Sequence, residues 1–487
     1  MRTIGSVMKF IGRKQELAFL NDAYRSNKAE FILVSGRRRI GKTALLAEFA
    51  KDKPCLFFSC TQSGNREQLE RFSRAVLAQG TPASKYLTKF DGWEPAFEEL
   101  SRLPGAGRKL IIIDEFPYLV EQNAAIPSIL QKIWDRVLQQ ENVMLVLCGS
   151  AVSFMEKELT GYKSPLYGRF TGTLRLKPLS YRDAFRFFPD WSNEDKMLGY
   201  ALLGGTPLYL SMFDPVRSLK ENAISAILRP GSALFEAPLT VLRQECREPA
   251  RYNDILRAIS LGSTKAAEIA QKVDIAPSNI RRYLDVLTDL GYIEPEHEPG
   301  TKTKGTVNTQ RTLWYPGDNL INFWYGYLYP NLDLLSFADG PERVWNEAIE
   351  PRLHDIAAFP FESVCLDFTA EMSSKGLLPF RATKFRRWNV PNIEIDVVAE
   401  DESAKSVIFG ECKFRNTPAT FGMYMALREK SMTRKCSERY YIMFSLSGFD
   451  SNLASAAEDP QSRLSLVSLS DLIREDAKET PLFCPID

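Results

Sequence analysis

Phe31-Ile32-Leu33-Val34-Ser35-Gly36-Arg37-Arg38-Arg39-Ile40-Gly41-Lys42-Thr43-Ala44 decides the fold. Its first four residues are a short apolar run of the kind buried in parallel sheets. From Thr43 to Phe49 the chain reads as a helix, with Ala44, Leu45, Ala47 and Glu48 favouring that state. Between the two lies a complete G-x-x-x-x-G-K-[ST] phosphate loop. Gly36 and Gly41 let the backbone curl, so that the amides of Arg37, Arg38, Arg39 and Ile40 point inward. The helix N-terminus at Thr43 and Ala44 adds positive potential where phosphates sit. Lys42 is expected to reach the β/γ-phosphates and the Thr43 hydroxyl to ligate Mg²⁺. A glycine turn that binds nothing is the competing reading; the strand before and the helix after speak against it.

Further along, Leu110-Ile111-Ile112-Ile113-Asp114-Glu115 is an apolar strand ending in carboxylates. Asp114 then lies at the sheet's carboxyl edge, where α/β ligands bind, and can hold Mg²⁺ through water. Glu115 is the candidate general base that polarises the attacking water. Val143 to Leu147 is another buried strand, and Ser150 just past it is placed to sense the γ-phosphate. Arg169 is a candidate arginine finger, or else a surface arginine. Thr173 to Leu176 reads as one more strand. Upstream, the turn at Gly12 and Arg13 either lies across a nucleotide base or merely opens a helix. The break at Gly204-Gly205-Thr206-Pro207 is a second candidate for touching the base.

Composition sets the class. At 487 residues with 44% hydrophobic and 25% charged side chains, the chain is an ordinary globular protein, of about three domains by length. A net charge of +1 excludes a global polyanion-binding surface. The eight cysteines form no C-x-x-C pair, and the two histidines, His297 and His354, make zinc improbable. A reduced, cytoplasmic protein is expected, with no membrane partner, since no apolar run approaches the roughly 18 residues of a span.

Five motifs in order now carry a resemblance: F-x-G-R-x-x-E-L from Phe10, G-R-R-R-I-G-K-T, I-I-I-D-E-F-P-Y-L, S-P-L-Y-G-R and G-G-T-P-x-Y-L. Together, over residues 8 to 215, they resemble the archaeal-type ATPase family, a branch of P-loop ATPases related to AAA+ and STAND proteins. The resemblance implies an α/β protein with a RecA-like sheet core and a helical lid that binds ATP and Mg²⁺. It places residues 1–180 in the ATPase core and 181–244 in the lid.

Residues 245–344 read as a winged helix and connector. Tyr252 to Ile259, Ala266 to Val273 and Pro277 to Leu287 form a helical trio, with Ser278 as expected cap of the third. Ile280, Leu284, Leu287 and Leu290 make its buried stripe and leave Asn279, Arg281 and Arg282 outside. The wing would run from Gly291-Tyr292-Ile293 through a tip at Lys302-Thr303-Lys304-Gly305 and return from Arg311 to Tyr315. The third helix can enter a major groove; Glu294, Glu296 and Glu298 on the wing argue for a packing lid instead. Asp318 to Tyr325 is an aromatic connector within the same resemblance, and a linker is expected near Gly340-Pro341.

Residues 345–487 carry the second candidate site. In Ile393-Glu394-Ile395-Asp396, Glu394 and Asp396 share one strand face, and in Gly410-Glu411-Cys412-Lys413 so do Glu411 and Lys413. Asp396, Glu411 and Lys413 match the PD-(D/E)xK nuclease pattern. Carboxylates of Asp396 and Glu411, with Glu362 from an upstream helix, would bind Mg²⁺ against a phosphodiester, and Lys413 would activate water or steady the transition state. A degenerate nuclease fold that only binds is the alternative. This stretch resembles a C-terminal domain of unknown function often attached to archaeal-type ATPases, except that Asn392 opens the motif in place of proline. The basic-aromatic run Arg381 to Trp388 is expected to guide a nucleic-acid backbone.

The whole therefore reads as a P-loop ATPase core with helical lid, a winged helix-turn-helix and an α/β restriction-endonuclease-like domain. Its cofactors would be ATP and Mg²⁺ and its partner nucleic acid, DNA before RNA. A homo-oligomer follows if Arg169 acts in trans. The alternative is a STAND-like switch that regulates a DNA or protein contact without cleaving.

Overall fold

The apolar runs become strands: β1 (Glu30–Ser35), β2 (Cys55–Ser59), β3 (Lys109–Asp114), β4 (Val143–Gly149) and β5 (Gly172–Arg175). The computed structural model of the protein describes residues 10–105, 107–150, 154–246, 248–297, 312–390, 393–474 and 481–483. These five strands form one all-parallel sheet in the order β2-β3-β4-β1-β5. Alternate side chains serve opposite faces. Phe31, Leu33, Ile111 and Ile113 join one buried cluster, while Ile32, Val34, Leu110 and Ile112 join the other. Both faces are covered, which is why these strands are apolar throughout rather than alternating. With Met1–Leu179, the segment Thr206–Leu208 completes this first unit.

The second unit comprises Ser180–Gly205 and Tyr209–Asp487. Ser180 and Ser192 cap the helices Tyr181–Phe185 and Asn193–Leu203 by accepting from the Asp183 and Asp195 amides. The three helices of the winged module are Pro249–Ser260, Ala266–Lys272 and Pro277–Asp289, followed by β6 (Ile293–His297) antiparallel to β7 (Thr312–Pro316). Ile280, Leu284, Leu287 and Leu290 are buried as their spacing predicts. Ser278 is not the cap. The helix begins at Pro277 after Ala276 and has no side-chain cap, because proline pre-set at the first helical position serves as the start. The wing tip at Lys302 to Gly305, Arg311, and Glu298 lie outside the described residues.

Asp318 accepts from the Ile321 amide at 3.0 Å and opens the aromatic connector, in which Trp324 and Tyr325 are buried. Gly340-Pro341 is not a linker. It opens the helix Gly340–Val344, which runs on into Trp345–Ile349, and Val344 and Trp345 are buried. Burial of these side chains outweighs the local turn signal.

After the long helix Leu353–Ser374 come β8 (Lys384–Val390), β9 (Ile393–Glu400) and β10 (Ser406–Lys413), the helix Phe421–Ser431, β11 (Glu438–Ser445), the helix Ser451–Glu458 and β12 (Leu464–Ser468). The sheet order is β12-β11-β10-β9-β8; β9 pairs antiparallel with both β8 and β10, whereas β11 and β12 run parallel to β10. Gly410 is required where β10 passes β9, since a Cβ there would lie 2.9 Å from the Val397 Cβ.

The basic-aromatic run on β8 is turned inward. Arg386 and Arg434 share the buried Glu400 at 2.8 and 2.7 Å, Arg387 pairs with Glu362 at 2.8 Å, and Trp388 is buried. The expected backbone guide is thus largely spent on internal ion pairs, leaving Arg381 and Lys384 as its exposed cations.

Candidate functional site

The phosphate loop leaves β1 at Ser35 and enters the helix Lys42–Ala50. Gly36 takes φ 155°, and a Cβ there would meet the Leu176 carbonyl at 2.9 Å, so a side chain is excluded where the loop turns. Lys42 is buried, and its Nζ donates to the Gly36 and Arg37 carbonyls at 2.9 and 3.1 Å, folding the ammonium back over the cradle. The Thr43 hydroxyl donates to Asp114 Oδ2 at 2.7 Å, so the two expected Mg²⁺ holders meet across β1 and β3. The donor set suits Mg²⁺, a hard cation that takes oxygen ligands and keeps several waters.

Glu115 stands at φ 52° directly after Asp114. Its Oε2 accepts from the Ser150 hydroxyl at 2.8 Å and from the Ser150 amide at 3.3 Å. Arg13 at φ 60° and Arg39 at φ 68° are further left-handed residues around this loop. Each such non-glycine costs on the order of 1 kcal/mol, and their concentration here marks a preorganised site. The Arg13 guanidinium is buried and donates to the Ile40 and Lys177 carbonyls at 3.0 and 2.7 Å, propping the loop. Arg37 donates to the Thr206 hydroxyl at 2.6 Å, and Pro207 lies 3.5 Å from where a Gly41 Cβ would stand. Arg38 donates to the Tyr118 hydroxyl at 3.0 Å.

Arg169 is not part of this set. Its Nε and Nη2 grip Asp135 at 2.9 and 2.8 Å. The register sets it at the far edge: Thr171, two residues on, donates from its amide to the Phe31 carbonyl near the start of β1, whereas the loop leaves from β1's end.

The second site is built by register. The β9–β10 register runs to Val397 opposite Gly410, and Asp396 follows directly beyond it. There Asp396 Oδ2 accepts from the Cys412 amide at 2.7 Å. Lys413 Nζ meets Glu411 Oε1 at 2.6 Å, and Lys430, a residue that no motif singled out, meets Oε2 at 3.3 Å. Burial and the neighbouring Glu411 push the Asp396 carboxyl up to about 6. Burial and Asp396 likewise push Glu362 up to about 7, against the pull of Arg387. Burial pulls the Lys413 ammonium down, but the Glu411 and Asp396 carboxylates together outweigh it and raise it.

Among the described residues no three His, Cys, Asp or Glu side chains stand together as a metal cage. Two carboxylates and solvent are nevertheless what Mg²⁺ takes beside a substrate phosphate, so Asp396 and Glu411 fit that ion as a pair. Glu362 is engaged by Arg387. Asn392 lies outside the described residues.

Residues 10–213 match the family model described as an ATPase domain predominantly from Archaea. Residues 251–294 match the bacterial regulatory protein arsR family, and 324–432 a family of archaeal and bacterial proteins of unknown function. An uncharacterised protein of Methanocaldococcus jannaschii is 31% identical over 409 residues, covering 84% of this chain and 88% of that one. An uncharacterised ATP-binding protein of the same organism is 45% identical over 47 residues, 10% of this chain and 80% of that one. Among solved structures, a Walker-type ATPase of Pyrococcus abyssi aligns with TM-score 0.49 at 22% identity, over 65% of this chain and 96% of that one. No helix among the described residues is long and apolar enough to cross a membrane.

Proposed function

This chain belongs to the archaeal-type P-loop ATPase family and is an ATP-hydrolysing enzyme, and from that premise we propose that its turnover drives a DNA-contacting winged helix and a Mg²⁺-dependent, nuclease-like site. The domains we assign are the core (1–180), lid (181–244), winged helix and connector (245–344) and nuclease-like module (345–487). In the core, Thr43 and Asp114 would hold Mg²⁺, Lys42 the phosphates, and Glu115 the attacking water, with Ser150 orienting Glu115. The Arg37–Thr206 bond at 2.6 Å supports a role for the Thr206-Pro207 turn in carrying nucleotide state along the chain.

The observation that carries the nuclease reading is Asp396 accepting from the Cys412 amide at 2.7 Å, between Glu411 and Lys413 that pair at 2.6 Å, on antiparallel neighbours preceded by a helix. Asn279 and Arg282 are exposed on the helix Pro277–Asp289 and would contact DNA; Arg282 donates to the Tyr283 hydroxyl and Arg281 to Asp285, both at 2.6 Å. Duplex and single-stranded DNA and RNA incubated with Mg²⁺ or Mn²⁺, with and without ATP, should yield metal-dependent cleavage of at least one substrate. Intact substrates throughout would leave the second reading, a non-cleaving nucleotide switch. Its supporting observation is the wing's seat on the C-terminal module, where Tyr315 stacks on Phe359 of the helix Leu353–Ser374 at 5.5 Å and accepts from Asn389 of β8 at 3.2 Å.

We assign Arg169 as a finger acting in trans, because its own loop leaves from the opposite end of β1. ATPase activity per molecule should then rise with protein concentration. Mixing Arg169→Ala with Lys42→Ala chains should restore part of the turnover that each lacks alone. Concentration-independent turnover with no rescue would reduce Arg169 to the structural partner of Asp135.

A further inference from the structure

Glu411 is held by one ammonium on each oxygen, and the two cations are not equivalent. Lys413 sits on the same strand, two residues away, with its side chain 24% exposed. Lys430 comes from the last turn of the helix Phe421–Ser431, which packs against β9 and β10, and its side chain is 35% exposed. Glu411 itself is only 11% exposed. Lys430 also acts electrostatically on Asp396, so its charge serves both carboxylates. Two carboxylates side by side in a buried setting repel each other unless a cation offsets them. An ammonium does so with one charge on a flexible stem that can swing away.

We propose that Lys430 is a resident counter-cation: it neutralises Asp396 and Glu411 while no divalent ion is bound, and moves to a phosphate oxygen of the nucleic acid when the ion takes the carboxylates. This rests on the nuclease-like reading of the site. Ion and ammonium compete for the same oxygens, so removing the ammonium should tighten metal binding. The same substitution deletes a cation beside the phosphodiester and should weaken nucleic-acid binding. A lysine that only stabilised the helix would not move the two in opposite directions.

The test uses the full chain as wild type, Lys430→Met and Lys430→Arg. Mn²⁺ alone is titrated while thermal unfolding is followed, and binding of a fluorescein-labelled DNA duplex is measured across a KCl series with saturating Ca²⁺, an ion that also takes carboxylate oxygens. Lys430→Met should reach its half-maximal Mn²⁺ shift at a concentration roughly three- to fivefold lower than wild type. Its salt dependence of DNA binding should be shallower by about one in the log–log slope. Lys430→Arg should stay near wild type in both. An unchanged or higher Mn²⁺ midpoint in Lys430→Met overturns the counter-cation role, and an unchanged salt slope overturns the phosphate role. If Mn²⁺ shifts neither wild type nor Lys430→Met, the carboxylates take no metal and the nuclease-like reading falls with the proposal. If it shifts both equally, only the role of Lys430 falls.

Discussion

Lys42→Ala should abolish ATP turnover and weaken ATP binding by roughly a hundredfold or more, the loss of a charge-assisted contact to phosphate. The Lys42 ammonium donates to the Gly36 and Arg37 carbonyls at 2.9 and 3.1 Å. Those are neutral acceptors, so exchange for phosphate oxygens is favourable, and alanine cannot make it. The cost to the fold is smaller. Two carbonyls lose a donor, at about 1 kcal/mol each, and the loop keeps its Arg13 prop to Ile40 at 3.0 Å. Glu115→Gln separates binding from chemistry. The amide oxygen can still accept from Ser150, so ATP should bind as in wild type, while turnover falls roughly 10²- to 10⁴-fold with the loss of a general base. Titration with a fluorescent ATP analogue and a phosphate-release assay report the two quantities. Wild-type turnover in Glu115→Gln would sink the base assignment.

The nucleotide unit was legible because its signals are local. The run Phe31 to Val34 and the helix from Thr43 lie inside β1 and the Lys42–Ala50 helix, and spacing alone put Lys42 and Thr43 at its start. The Thr43–Asp114 bond follows from both ending on the same sheet edge. Long-range pairing was not legible. Nothing near Arg386, Arg387 or Trp388 announces that Glu400 and Glu362 will claim the guanidiniums, so a basic stretch read as a surface guide became internal structure. Arg169 was placed in the chain but not at an edge, because sheet order and register are needed to see which end of β1 it reaches. Lys430 belongs to no motif. Only the packing of its helix on β9 and β10 brings it to Glu411.

Asp396→Ala should erase every gain in stability that Mg²⁺ or Mn²⁺ gives the wild-type chain, and with it any cleavage, while ATP hydrolysis persists. In wild type a metal at a hundred times its dissociation constant should contribute about 2.7 kcal/mol to the unfolding free energy of the C-terminal module. The gain depends on pH in a fixed direction. Burial and Glu411 hold the Asp396 carboxyl up at about 6, and burial and Asp396 hold Glu362 at about 7, against about 4 for carboxyls in an unfolded chain. The folded module therefore binds more protons than the unfolded one between about pH 4 and 7, so metal-free stability should fall as pH rises through that window. A metal ligand must be deprotonated, so the metal-induced shift should be small at pH 5 and full at pH 8. Asp396→Ala removes one raised carboxyl and the repulsion it exerts on Glu362, and should flatten the metal-free profile. Asp396→Asn serves as the control for packing, since its amide oxygen can still accept from the Cys412 amide that Asp396 takes at 2.7 Å. Thermal unfolding at pH 5 and 8, with and without Mn²⁺, distinguishes the outcomes. A wild-type chain whose unfolding at pH 8 ignores Mn²⁺ would show that Asp396 and Glu411 bind no metal, and would leave the C-terminal module as a binding scaffold governed by nucleotide state.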